Sequence, residues 1–161
     1  MFDSRMLSDN EKAEVSFGKS VLCPAGYGIL GESFLLKVDG SIRKDGEKFI
    51  FEGEVSGSLE FSCSFCLSAV QRDFSTHEEI IFSKSPDSEA EEWAVIDGMI
   101  DLTPAASAYF FSVLPSAFLC EENCLGLCPI CGNNKNHTPC KCKIEKSSPF
   151  DGLNGLDFQQ E

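Results

Sequence analysis

The chain has 161 residues, 42% of them hydrophobic with 14 Phe, a globular composition long enough to bury a core and unlike that of a disordered segment. Thirteen Lys and Arg stand against 26 Asp and Glu, a formal charge of −13, and such a surface repels polyphosphate at long range while favouring a basic protein partner. No stretch approaches the roughly 20 apolar residues of a membrane span, and Met1 to Asn10 carries Asp3 and Asp9 where a secretion signal has a basic end, so a cytoplasmic protein is expected.

In chain order, the first 31 residues show little periodicity, and Val15, Phe17, Val21 and Leu22 suggest one short strand or loop packed on the body. From Phe34 to Ile42 an apolar run leads into the turn signal Lys44-Asp45-Gly46, and Phe49, Phe51, Val55, Leu59 and Phe61 follow among polar neighbours. That pattern predicts two long antiparallel strands joined by a hairpin. A third strand is expected over Val70–Phe82, with Phe74, Ile80 and Phe82 apolar among charges. Ser83 to Glu92, with Pro86, Asp87, Glu89, Glu91 and Glu92, reads as an acidic loop. Trp93 to Leu102 is strand-like again. Thr103 then offers an N-cap and Pro104 a first helical residue, and Ala105, Ala106, Tyr109, Phe110, Val113 and Leu114 recur at helical spacing up to Pro115. The fold class expected is α+β: an antiparallel sheet with one packed helix, whose aromatic face is core, in a body of residues 1–118. A cysteine-rich module over 119–143 and a flexible acidic tail over 144–161 complete the organisation.

Six of the nine cysteines, Cys120, Cys124, Cys128, Cys131, Cys140 and Cys142, fall within this module, and Cys63 and Cys66 form a pair far upstream at the turn between two strands. Cys128-Pro129-Ile130-Cys131-Gly132 has the form of a zinc knuckle: thiolates three positions apart converge on one tetrahedral ion, and a glycine beyond them makes the tight turn. An odd cysteine count without a secretion signal argues for metal ligands or redox thiols over a disulfide framework. Eight thiolates permit two closed zinc sites, or one with spares, and spacing alone does not partition them. The arrangement we favour pairs Cys128 and Cys131 with Cys140 and Cys142, because the Gly132 to Pro139 loop is long enough to fold back. Cys63 and Cys66 would then join Cys120 and Cys124 and staple the sheet to the module. Cys23 reads as a small buried hydrophobe, His77 as a surface residue, and His137 as a possible substitute ligand. Closed all-sulfur coordination leaves no position for activating water, and no Ser/His/Asp, phosphate-loop or paired-carboxylate pattern stands out, so no catalytic residue is assigned and no enzyme is expected.

The ordered set Cys63-x-x-Cys66-Leu67, Ile100-Asp101-Leu102 before a helix, Cys120-x3-Cys124-x-Gly126-Leu127-Cys128-Pro129-x-Cys131-Gly132-x-Asn134-x-Asn136 and Cys140-x-Cys142 resembles the cysteine-rich form of the bacterial and plastid YceD family, also known as DUF177. The resemblance implies a non-enzymatic factor for accumulation of large-subunit ribosomal RNA that binds metal. It also implies a small zinc-ribbon protein of the large subunit as partner and a capacity for nucleic-acid binding, whereas the acidic charge of this chain points to indirect contact with ribosomal RNA. Phe65 stands where such proteins often have a basic residue, and no Lys or Arg follows Lys146. Lys135, His137, Lys141, Lys143 and Lys146 form the one basic cluster, where RNA contact would be sought. A different class of function, a redox-switched holdase chaperone that ejects zinc on oxidation, suits the same clustered cysteines and abundant Phe.

Overall fold

The structure, a computed structural model, describes residues 1–9, 11–24, 28–86 and 91–143. Its strands are β1 (Phe2–Asp3), β2 (Lys12–Leu22), β3 (Ile29–Leu30), β4 (Ser33–Asp45), β5 (Lys48–Ser62), β6 (Ala69–Ser83), β7 (Glu92–Ala94) and β8 (Met99–Ile100), followed by one α-helix, α1 (Leu102–Ser112). The main sheet runs β2-β4-β5-β6-β7, with β3 taking the edge of β5 beyond the end of β4, and β1 and β8 form a separate ribbon. It is antiparallel except where the short β7 lies parallel to β6.

Alternation builds the three long strands. Phe34, Leu36, Val38 and Ile42 of β4 and Phe49, Phe51, Val55, Leu59 and Phe61 of β5 all point to one buried face, as period-two patterning requires. The β4–β5 hairpin closes through Gly46-Glu47, with Gly46 at φ 59° in the first loop position, the glycine requirement of a two-residue hairpin loop. Helix α1 lies on this face with Leu102, Ala105, Ala106 and Phe110 buried, and the Phe110 ring stacks on Phe34 at 5.0 Å. Gly57 makes room for it: a Cβ there would lie 2.8 Å from Phe34 Cε2 and 3.1 Å from Phe110 Cζ.

Four readings are corrected. Residues 12–22 form a full edge strand, not a short segment, because Ala13, Val15 and Phe17 alternate toward the core while Lys19 hides the period in the sequence. The helix is capped by Asp101, whose carboxylate accepts from the Thr103 N–H at 3.0 Å. Pro104 therefore sits in the first turn but not at its first position, which the helix tolerates because that N–H has no intrahelical partner. The apolar run 93–102 is two strands, broken by Asp97-Gly98 at φ 52° and 76°. Reciprocal bonds between Ile96 and Met99, of 3.1 and 2.8 Å, close that turn, as a type I′ loop does. Finally, Glu92 belongs to β7 rather than to a solvated loop: its side chain is 5% exposed and its carboxylate meets Lys48 Nζ at 2.6 Å. Asp87 and Glu89 of the expected loop, and the tail 144–161 with Lys146, lie outside the described residues.

Candidate metal centres

Strand β5 delivers Cys63 to the sheet's end, where six residues connect to β6. Within that connection Cys63 N donates to Ser68 O at 2.9 Å and Leu67 N donates back to Cys63 O at 2.9 Å, which turns the pair Cys63 and Cys66 toward one point. The chain returns to the same place after α1. Phe118 stacks on Phe61 with ring centroids 4.4 Å apart, Ser64 N donates to Phe118 O at 2.7 Å, and Cys120 and Cys124 follow immediately. Cys63 Sγ lies 3.8 Å from Cys124 Sγ, and Cys66 Sγ lies 3.6 Å from Cys120 Sγ. A second group forms from Cys128, Cys131, Cys140 and Cys142, and in each group all four sulfurs lie within 4.8 Å of one another.

The structure thus brings the eight candidate cysteines into two fours, with the grouping that the loop length suggests. The donor set tests well against a metal. Four Zn–S bonds of 2.3 Å at tetrahedral angles put the sulfurs about 3.8 Å apart, whereas a disulfide holds them near 2.05 Å. All nine cysteines are free thiols, and the Cys63–Cys124 and Cys66–Cys120 sulfur pairs, at 3.8 and 3.6 Å, match the tetrahedron's edge. Each group is able to hold one metal ion. Cys23 belongs to neither group; it is half-buried against the core, and burial pushes its thiol up. His77 is exposed on β6, and exposed His137 is in neither cysteine group.

Electrostatics divide each group into ready and reluctant thiols. Burial pushes Cys63 up, but N–H donors of Cys66, Cys120 and Phe65 outweigh it and bring this thiol to about 6. The Ser68 hydroxyl and N–H lower Cys66 too. Cys120 is pushed up to about 12, first by its bond to Cys124 and then by burial and the remaining sulfurs. In the second group the N–H groups of Cys131 and Ile130 bring Cys128 to about 6, its bond to Cys128 raises Cys140, and contact with Cys131 pushes Cys142 up to about 12. Four thiolates crowded this closely repel one another, and a divalent cation at the centre reverses that balance.

The two Cys-x-x-Cys turns are built alike. Gly132 N donates to Cys128 O at 2.8 Å just as Leu67 N donates to Cys63 O, and the two residues share a left-handed backbone, φ 71° and 60°. The second turn has the glycine such a conformation favours, while the first holds a leucine there.

A family model described as "Large ribosomal RNA subunit accumulation protein YceD" matches residues 51–157, well over half of the chain. The chain belongs to the YceD family. The match takes in both cysteine groups, strands β6 to β8 and the helix, and it leaves out β1 to β4. No curated protein and no solved structure matches.

Sequence reasoning did not find the outer hydrogen-bond partners of the sulfurs. Asn136 Nδ2 donates to Cys124 Sγ at 3.2 Å, Cys66 Sγ bonds Ser68 Oγ at 3.3 Å, and Asn134 Nδ2 reaches that same hydroxyl at 3.4 Å. The spacing Asn134-x-Asn136 within a ligand loop was the available signal. Of the basic cluster, Lys141 and Lys143 are exposed, while Lys135 is half-buried and its N–H donates to Gly126 O at 3.0 Å.

Proposed function

We propose that the chain supports accumulation of large-subunit ribosomal RNA as a non-enzymatic assembly factor, binding a basic large-subunit protein, with its cysteine module held by two zinc ions. Family membership supplies the process, and one observation on the sheet supports the partner. The outer face carries two adjacent cross-strand rows, Glu14–Ser41–Glu52–Glu79 and Ser16–Asp39–Glu54–His77. Glu52 faces Glu79 directly, Asp39 faces Glu54 directly, and all five carboxylates are exposed. Like charges directly opposed across strands destabilise a sheet. Arg43, 3.8 Å from Glu79, offsets only part of it. A surface that tolerates this repulsion suits a cationic protein and repels RNA.

All-sulfur coordination in both groups favours zinc or another thiophilic ion and leaves no open ligand position for catalysis. Among the described residues no helix is long and apolar enough to cross a membrane, which accords with work on ribosomes in the cytoplasm. The test is a binding titration of the zinc-loaded chain with purified basic zinc-ribbon protein of the large subunit at two salt concentrations, alongside depletion in cells. Binding that weakens with salt, and loss of large-subunit RNA with the small subunit intact, are the expected outcomes. Unchanged large-subunit RNA after clean deletion refutes the reading.

The aromatic cluster under the module favours one competing reading. Phe118 is buried against Phe61 and Phe74, so oxidation that ejects zinc and detaches the module would bare these rings, as a redox-switched holdase requires. Peroxide treatment that releases zinc without any gain of anti-aggregation activity eliminates it.

A further inference from the structure

The two cysteine groups follow one another along the chain, yet hydrogen bonds tie the loop of the second to the first. Beyond Asn133, whose carbonyl accepts from Cys128 N at 2.8 Å, the segment between the ligand pairs Cys128/Cys131 and Cys140/Cys142 leaves the second group. It folds back on the first. Asn134 closes a tight turn, its carbonyl accepting from His137 N and Thr138 N at 3.2 and 3.1 Å and its side-chain oxygen from Asn136 N at 3.0 Å. This turn presents Asn136, whose Oδ1 accepts from Leu125 N at 2.7 Å. A backbone N–H can only donate, so the amide oxygen faces Leu125 and the amide nitrogen faces Cys124 Sγ at 3.2 Å. Lys135 N reaches Gly126 O at 3.0 Å, and Asn134 reaches Ser68, the hydroxyl partner of Cys66. In the other direction, Leu127 N, one residue before Cys128, donates to Phe65 O inside the first turn at 3.0 Å.

We propose that the two metal centres are energetically linked through the Asn134–Asn136 turn, with Asn136 as a positioning residue that the second centre holds in place against the Cys124 thiolate of the first. The proposal rests on zinc occupying both groups. Ligation at Cys128, Cys131, Cys140 and Cys142 clamps both ends of the 132–139 loop, and the clamped loop supplies an N–H donor to a sulfur of the other centre. N–H donation withdraws charge from a metal-bound thiolate, making it a poorer nucleophile and a slower leaving ligand. By reciprocity, filling the first centre also favours the second.

Site-resolved alkylation tests this. The zinc-loaded full chain is treated with iodoacetamide, the rate at each cysteine is followed by peptide mass spectrometry, and zinc content is measured in the same samples. Three variants are compared: Asn136→Ala, the ligand double variant Cys140→Ser/Cys142→Ser, and their combination. Asn136→Ala and the double variant should each accelerate modification of Cys124 about tenfold, the lower range for loss of an outer partner of a metal ligand. The combination should accelerate it no further, since both remove the same contact. Asn136→Asp, which keeps the acceptor for Leu125 but presents oxygen to sulfur, should behave like Asn136→Ala and covers the case in which the alanine variant misfolds. Unchanged Cys124 protection in the double variant, or rate effects that multiply to about a hundredfold in the combination, overturns the link. Wild-type protein with two zinc ions and independent centres defeats the link alone, whereas wild-type protein without zinc defeats the metal reading and the link with it.

Discussion

Leu67 gives the sharpest test of how the first Cys-x-x-Cys turn is built. Its backbone is left-handed at φ 60° and its side chain is 64% exposed. An L-residue with a Cβ is strained there by about 1–2 kcal/mol. Replacement by glycine releases that strain, gives back about 0.5–1 kcal/mol through greater freedom of the unfolded chain, and loses the modest burial of the side chain. Replacement by alanine loses the same burial and keeps the strain. Leu67→Gly should therefore be more stable than Leu67→Ala by up to about 1 kcal/mol, reversing the usual order of these residues. The mirror experiment is Gly132→Ala, where a new Cβ meets nothing within 4 Å. Any loss there is conformational and should be of similar size. Because folding of such a turn is coupled to metal binding, the differences should be read as zinc affinity in competition with a chromophoric chelator. About 1 kcal/mol corresponds to roughly fivefold. Leu67→Ala binding zinc as tightly as Leu67→Gly, or more tightly, refutes the account of the turn.

Gly57→Ala should destabilise the body by about 1–3 kcal/mol through overpacking against Phe34 and Phe110, read from denaturant melts at constant zinc. Asp101→Ala should lower stability by about 1 kcal/mol through loss of the helix cap, with zinc content unchanged. Glu52→Gln/Glu54→Gln should leave the melting temperature unchanged or raise it by about 1–2 °C while weakening binding of the proposed basic partner and flattening its salt dependence. Zinc affinity should fall with acid, since metal competes with protons for sulfur. In the metal-free protein Cys63 and Cys128 are lowered to about 6, so above that pH they are already thiolates and bind without releasing a proton. As pH falls through about 6 each must first lose one, and the slope of log affinity against pH should steepen by about one per centre. A constant slope through that range contradicts the assignment of these thiols.

Some of this molecule was legible in its residues. Strands β4, β5 and β6 announce themselves because one face of the sheet is largely buried and the other largely solvated, so alternation runs through most of each strand. The break at Asp97-Gly98 was equally present as a turn dipeptide, but it is embedded in an apolar run whose hydrophobicity outweighed it. Edge strand β2 hid its period behind Lys19 because an edge is only half-covered. The distance in sequence from Cys63 to Cys120 carries no information about their approach, which depends on β6 and α1 returning the chain and on Phe118 stacking over Phe61. The role of Asn136 was beyond reach for the same reason: an amide becomes a partner of sulfur only when a loop closed elsewhere places it there.

The central claim is that two all-sulfur zinc centres form in this chain, the first joining the end of the sheet to the C-terminal module. Zinc-edge X-ray absorption on the freshly reduced protein, with native mass spectrometry on the same sample, tests it most directly. The account predicts two ions per chain, each with four sulfur neighbours at about 2.3 Å, and loss of one ion in Cys63→Ser/Cys66→Ser with its second centre still filled. No bound metal, or a shell containing nitrogen or oxygen ligands, would contradict it.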